Sequence, residues 1–295
     1  MTSSSQTPLV LAIQPWFADH CFNGTTVLPA VETMSLLAAA VAQAHPEITV
    51  QVMAEVRFSK FLEIPPGATE LEVLLEGTRY ADGSLQARLL SRKQLKMATR
   101  LTEHGEVRFP LAASLPELTT ESPLDPGAAD SAVIEIPAAR VYAELVPFGP
   151  GYHTLQGTLH LSGGKAWGSL RAPTFAAPAN LPKSLGSPFP LDGAFHAACV
   201  LGQCVVDFVP FPVGLDRRVI RRPTQPGGNY LVRVELRGQT RNELVFDLEI
   251  LDDTGRVYET VSGVRMRDVS GGRSKPPGWI RNSLASPPKQ GVFPW

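Results

Sequence analysis

Hydrophobic and polar positions along this chain follow two patterns, and each occurs twice. Residues 29–45, PAVETMSLLAAAVAQAH, are apolar on nearly all sides, which predicts a helix that is buried rather than laid on a surface. Pro29 suits its first turn, Glu32 favours the positive end of its dipole, and Pro46 stops it. An extended stretch, PLVLAIQPWF, precedes this helix, joined to it by a polar loop, DHCFNGTTVL. After the helix come segments that alternate at a period of two. ITVQVMAEVRF, TELEVLLEGTR, SLQARLLSR and MATRLTEHGEVRF read as strands, with a hairpin turn at Ala81-Asp82-Gly83.

The same order then recurs. GYHTLQGTLHLSGGKAWGSLRAP reads as a strand pair, and PLDGAFHAACVLGQCVVDF as a second apolar helix entered through a proline. NYLVRVELRG, ELVFDLEILDD and VYETVSGVRMRDV follow as strands, with a turn at Thr254-Gly255. Even the closing GEVRF and SGVRM are alike. The pattern predicts an α+β fold of two units, each an antiparallel sheet around a long buried helix, with any pocket lying between the units. The expected boundaries are an N-terminal unit over 1–110, a Pro-rich acidic linker over 111–131, a C-terminal unit over 132–270, and a proline-rich tail over 271–295. That tail has no period and is expected to be an extension or to dock by its aromatic residues.

Composition narrows the function classes. The 295 residues carry a net charge of −1, which gives no electrostatic reason to expect a nucleic acid or an anionic membrane as partner. Apolar residues make up 43%, enough for a sizeable core. Three cysteines, Cys21, Cys199 and Cys204, with no export signal at MTSSSQTP, argue against a disulfide framework and for a reducing, cytoplasmic setting. Cys199 and Cys204 read as buried thiols, and no Cys/His spacing suggests a metal site.

Few residues can carry chemistry. His20, Gly24 and Pro29 form a His-x-x-x-Gly-x-x-x-x-Pro pattern leading into the first helix, where a backbone N–H could face a carbonyl oxygen. Asp192 and His196 stand four apart on the second helix and share a face. Each residue has a plainer reading: a loop histidine, a first-turn Asp favouring the helix dipole, a histidine that only orients that Asp. Cys21 adjoins His20, but sequence neighbours rarely present side chains to each other. His153 and His160 lie in a strand-like region, where His153 could line a pocket. Arg217, Arg218, Arg221 and Arg222 form a basic cluster that reads as a solvated strand end or a docking patch for an acidic partner.

Taken in order, four segments resemble a known family. HCFNGTTVLP, PFGPGYHTLQG, PLDGAFH and LDDTGRVYETVSGVRMRDV are similar to the signatures of dehydratase domains of modular polyketide synthases and related fatty acid synthases. The resemblance implies a double hot-dog fold and removal of water from a 3-hydroxyacyl thioester. His20 would take the proton at C2, and Asp192 would protonate or orient the leaving 3-hydroxyl. His196 would hold Asp192, and the Gly24 N–H would take charge from the thioester carbonyl. The implied partners are an acyl carrier protein, other synthase enzymes or domains, and a second copy of the chain as a homodimer. No cofactor is implied beyond the carrier's phosphopantetheine arm.

The chain departs from the pattern at three points. Phe148 stands where the family has tyrosine, and Tyr152 where it has phenylalanine. Ser187-Pro188-Phe189-Pro190 replaces the usual His-Pro. A near-neutral histidine suits the abstraction of a C2 proton, and a carboxyl must be protonated to help hydroxide leave. Whether Asp192 donates or only orients is open at this level. Double-bond isomerisation, product-template cyclisation, ether-ring formation and a catalytically idle acyl- or carrier-binding scaffold use the same framework.

Overall fold

The computed structural model describes residues 3–94, 98–111, 133–175 and 181–283. The first half contributes β1 (Ser3–Ala12), a short hairpin of β2 (Cys21–Phe22) and β3 (Thr25–Thr26), helix α1 (Ala30–Ala44), and strands β4 (Val52–Arg57), β5 (Glu70–Arg79), β6 (Leu85–Gln94) and β7 (Thr99–Phe109). The second contributes β8 (Ile134–Pro137), the single turn α2 (Ala138–Arg140), β9 (Leu155–Ser162), β10 (Lys165–Arg171), α3 (Phe189–Gln203), β11 (Pro210–Ile220), β12 (Asn229–Gln239), β13 (Glu243–Leu251), β14 (Val257–Asp268) and the short α4 (Gly278–Ser283).

Twelve of these strands make one antiparallel sheet in the order β1-β5-β6-β7-β4-β11-β14-β13-β12-β10-β9-β8. The run β1-β5-β6-β7-β4 is matched, reversed, by β11-β14-β13-β12-β10. Strands β4 and β11 pair antiparallel at the seam, with Leu215 opposite Val56 and Arg218 opposite Met53. The similar GEVRF and SGVRM lie in the last parts of β7 and β14, which hold equivalent places one strand from the seam pair.

Both helices lie against the sheet because neither has a polar face to give to water. Helix α1 buries Val31, Met34, Leu37, Ala38 and Val41, and all fifteen residues of α3 are buried. The close approach of α3 to the sheet depends on Gly193. A Cβ there would stand 2.2 Å from Thr154 Oγ1 and 2.8 Å from Leu170, inside any tolerated contact. No helix among the described residues is long and apolar enough to cross a membrane.

The fold departs from the sequence reading in two places. Residues 210–220, given no strand by their pattern, form the seam strand β11, whose prolines and a bulge between Pro212 and Gly214 disguise the alternation. The basic cluster is therefore split: Arg218 on β11 is buried, whereas Arg222, just past the strand, is exposed. Arg218 is 1% exposed and makes a two-pronged ion pair with Glu259 on β14, at 2.7 and 3.2 Å. The stretch 133–145, also unassigned from sequence, forms β8, α2 and one π-helical turn. In the tail, Ile280 is fully buried, and Trp279 donates to Glu144 and lies under Arg140. The expected linker, apart from Leu111, and the tail from 284 onward lie outside the described residues.

Candidate active site between the two halves

The loop from β1 into α1 sets the position of His20. A 3-10 turn over Pro15–Asp19 ends at His20, whose backbone N–H closes it on Phe17. Next comes the hairpin of β2 and β3, turned by Asn23 (φ 50°) and Gly24 (φ 81°). This left-handed pair is the Asn-Gly turn that a two-residue hairpin favours. The hairpin brings Val27 back to His20, and His20 Nδ1 lies 3.0 Å from the Val27 carbonyl oxygen. A carbonyl can only accept, so Nδ1 carries the proton and Nε2 keeps its lone pair.

His20 is 8% exposed, with Phe148 flat against one face at 4.1 Å and the edge of Tyr152 at 5.2 Å. Burial pulls its pKa down from 6.5 to about 4, and the nearby Asp192 only partly offsets this. The imidazole is thus neutral at physiological pH.

Asp192 comes from the other half, in the first turn of α3, and is 4% exposed. His196, one turn later, brings Nε2 to 3.1 Å from Asp192 Oδ2, though the contact is not aligned for a hydrogen bond. The opposite edge of His196 faces Tyr142. That hydroxyl accepts the Leu155 N–H at 2.8 Å and lies 3.4 Å from His196 Nδ1. With its acceptor side occupied, the Tyr142 hydroxyl is set to donate to Nδ1, which leaves the His196 proton on Nε2, beside Asp192.

His20, Asp192, His196 and Phe148 all line one cavity of about 430 Å³ between the halves. Its walls are otherwise largely apolar, with Phe22, Leu28, Phe58 and Phe211 among them, and Lys60 and His104 also in the lining. Ala30 also lines it, at the uncapped N-terminus of α1. Pro29 is the residue before that helix and is buried. Cys199 joins the lining as a thiol pushed up to about 12 by burial, an inert wall rather than a nucleophile.

Three sequence candidates stand elsewhere. Gly24 is exposed at the hairpin tip and does not line the cavity, so the turn accounts for it and the expected carbonyl-facing role is not supported. His153 turns Nε2 to the Phe148 carbonyl at 2.8 Å and stacks on Tyr142, outside the cavity. Tyr152 is fully buried behind His20, and its hydroxyl has no hydrogen-bond partner. A larger groove of about 640 Å³ lies on the sheet face away from α3, lined by His160 and Arg217 among others, and holds none of the catalytic candidates. Tyr142 was not singled out from sequence: it sits in an unassigned stretch, and one tyrosine carries no spacing signal.

An antiparallel sheet against two buried helices, with a histidine from one half and an aspartate from the other lining one cavity, is the architecture of a double hot-dog protein. Residues 3–92 match the family model described as the polyketide synthase dehydratase domain, and residues 120–276 match that of the polyketide synthase dehydratase N-terminal domain. The chain belongs to the polyketide synthase dehydratase family.

A curated relative, polyketide synthase ThaG of Burkholderia thailandensis, is 26% identical over 271 residues, covering 88% of this chain but only 4% of that protein. Among solved structures, the dehydratase domain of RzxB from Pseudomonas fluorescens superposes with a TM-score of 0.69 at 18% identity, over 88% of this chain and 94% of that one. The dehydratase domain from the CurF module of curacin polyketide synthase gives 0.70 at 18%, over 90% and 93%. A trans-AT dehydratase domain from Brevibacillus brevis gives 0.67 at 16%, over 90% and 94%. These likenesses show the double hot-dog fold.

Proposed function

We propose that this chain removes water from a 3-hydroxyacyl thioester held on the phosphopantetheine arm of an acyl carrier protein, leaving a trans-2-enoyl thioester. The carrying observation is the tautomer of His20. Val27 ties down Nδ1–H, so the lone pair of Nε2 is available to the cavity that Asp192 lines from the other half.

In this reading Nε2 takes the C2 proton. The electron pair of the broken C–H bond forms the C2–C3 double bond. The 3-hydroxyl leaves with a proton from Asp192, as water. The two transfers support each other. As Asp192 gives up its proton, its new negative charge favours the proton His20 has just taken, the direction in which an ionised Asp192 acts on His20. His196, oriented by Tyr142, holds the carboxyl group in place. The uncapped first turn of α1 at Ala30 presents the positive end of a helix dipole to developing charge on the thioester oxygen.

The elimination is redox-neutral, and in this reading side chains supply both acid and base, so no redox group or metal is invoked. The partners in this reading are the carrier protein and neighbouring synthase domains, and a homodimer is part of the same proposal. Mass spectrometry of a 3-hydroxyacyl carrier-protein thioester tests it. The intact protein should remove the mass of one water, and His20→Ala should not. Retention of that mass with the intact protein across several chain lengths, the substrate still bound, would turn the reading to isomerisation, cyclisation or a scaffold.

A further inference from the structure

Most residues lining the cavity of His20 and Asp192 are shut away from water. Ser59, Lys60, Phe61 and Glu63 are exposed, all in the stretch that joins β4 to β5, as is Pro147 across from them. That stretch is therefore where the cavity opens. Backbone hydrogen bonds tie its two ends. The Phe58 N–H donates to the Val213 carbonyl of β11, and the Leu62 carbonyl accepts the Leu28 N–H, both at 2.9 Å.

His104 on β7 ties the middle of the stretch to the sheet. Its backbone carbonyl accepts the Ser59 N–H at 3.2 Å. Its Nδ1 lies 3.2 Å from the Lys60 carbonyl oxygen and 3.0 Å from that of Phe61. Carbonyls only accept, so Nδ1 carries the proton, and Nε2 accepts from the Ser91 hydroxyl on β6 at 2.7 Å. Lys93 follows Ser91 by two residues on the same face of β6, about 7 Å along the strand. It stands opposite Arg100 on β7. Lys60, Lys93 and Arg100 are all exposed, and none of them is in an ion pair among the described residues. Glu103 is already taken by the Ser59 hydroxyl and Arg88, while Glu63 closes the stretch. Phe61, 40% exposed, begins an apolar path that continues inward through Phe22, at 5.2 Å, to Phe211.

We propose that this rim is the docking surface for the carrier protein that delivers the substrate: Lys60, Lys93 and Arg100 meet acidic groups around the attachment point of its arm, and His104 is the positioning residue that fixes the mouth beneath them. This rests on the dehydratase reading. The arm is joined to its carrier through a phosphodiester, so an anion comes to the mouth whenever the acyl group reaches His20. Of the three cations only Lys60 also lines the cavity, which places it nearest that anion. Lys93 and Arg100 stand further out, where opposite charge on a partner speeds encounter and fixes orientation. The exposed Phe61 ring supplies the apolar contact at the centre of such a surface.

The same 3-hydroxyacyl group, presented once on a holo acyl carrier protein and once on free pantetheine, separates docking from chemistry. Lys93→Glu combined with Arg100→Glu should lower kcat/KM for the carrier-bound substrate by about 10- to 100-fold relative to the pantetheine thioester. Added salt should narrow the native protein's preference for the carrier-bound form. An equal loss on both substrates, or a loss on neither, would overturn the surface. His104→Gln should raise KM for both substrates while kcat holds, because either arm passes the same mouth; an unchanged KM would remove His104 from this role. Ser91→Ala, which loses only the anchor on β6, makes the same comparison if His104→Gln fails to fold. Titration of nitrogen-15-labelled holo carrier protein gives a readout without turnover: the Lys93→Glu, Arg100→Glu protein should bind it about tenfold more weakly than the native protein. Equal binding would overturn the proposal. A native protein that dehydrates nothing defeats the functional reading alone, and the titration still decides the docking surface.

Discussion

The Phe148 ring lies flat against the His20 imidazole, centroids 4.1 Å apart and planes within 13°. It also reaches His196, at 5.4 Å. One apolar ring therefore shields the proposed base and touches the histidine beside the proposed acid. This shielding is part of the burial that holds His20 near pKa 4. In the proposed mechanism neutral imidazole is the active form, so the acid limb of kcat/KM should fall well below the ordinary histidine value.

Phe148→Ala should let water reach His20. Its pKa should rise toward 6.5, and the acid limb of kcat/KM should move up by roughly one to two pH units. A pH–rate profile from 4 to 8 checks this. An unmoved limb would mean that other walls, such as the Tyr152 edge, set the burial.

Tyr142→Phe removes one oxygen and two hydrogen-bond relations. His196 loses the donor that fixes its tautomer, and the buried Leu155 N–H loses its acceptor. Stability should drop by about 1–3 kcal/mol. Misorientation of the Asp192 carboxyl should lower kcat by roughly 10- to 100-fold, with KM little changed. A variant that loses stability but keeps kcat would show that Tyr142 serves the backbone alone.

Much of this was legible in the residues. The helices showed because a run such as MSLLAAAVA has no polar side, and the strands because LEVLLEG and FDLEIL alternate. His20, Asp192 and His196 were legible through motif order and i, i+4 spacing. The seam was not. β11 reads PFPVGLDRRVI, and two adjacent arginines suggest water, whereas the strand turns Arg217 outward and Arg218 into a buried pair with Glu259 forty-one residues away. Burial of a charge depends on a partner that sequence distance hides. The same holds for Tyr142, whose significance comes from His196 on α3 and the Leu155 N–H. Gly24 shows the converse: the positive φ of its turn accounts for a glycine there without any place in the cavity lining.

The seam pair supplies its own test. Arg218→Met leaves Glu259 2% exposed and without its guanidinium. Removing one partner of a buried pair costs about 3–5 kcal/mol, so denaturant unfolding should show a loss of that size. Arg218→Met combined with Glu259→Leu should recover most of it. A small loss in the single variant would mean that water reaches the seam.

The last prediction concerns stability and pH, where His20 and Glu32 act in opposite senses. His20 titrates at about 4 in the fold and 6.5 in the unfolded chain, so between these values the unfolded state binds more protons and stability rises with pH. Glu32 titrates at about 7 in the fold and 4.5 unfolded, so between these values the folded state binds more protons and stability falls as pH rises. The windows overlap from 4.5 to 6.5, where the two slopes cancel in the native protein. Single variants should separate them. His20→Gln, subtracted from wild type, should reveal stability lost on acidification from 6.5 toward 4, and Glu32→Gln should be the more stable form above pH 7 while matching wild type below 4.5. Taking differences between melts removes the contributions of other titrating groups, such as His104 and the exposed Asp82 and Asp252. If both difference curves run flat from pH 4 to 8, neither side chain is desolvated by folding, and the dry environment assigned to the catalytic pair is wrong.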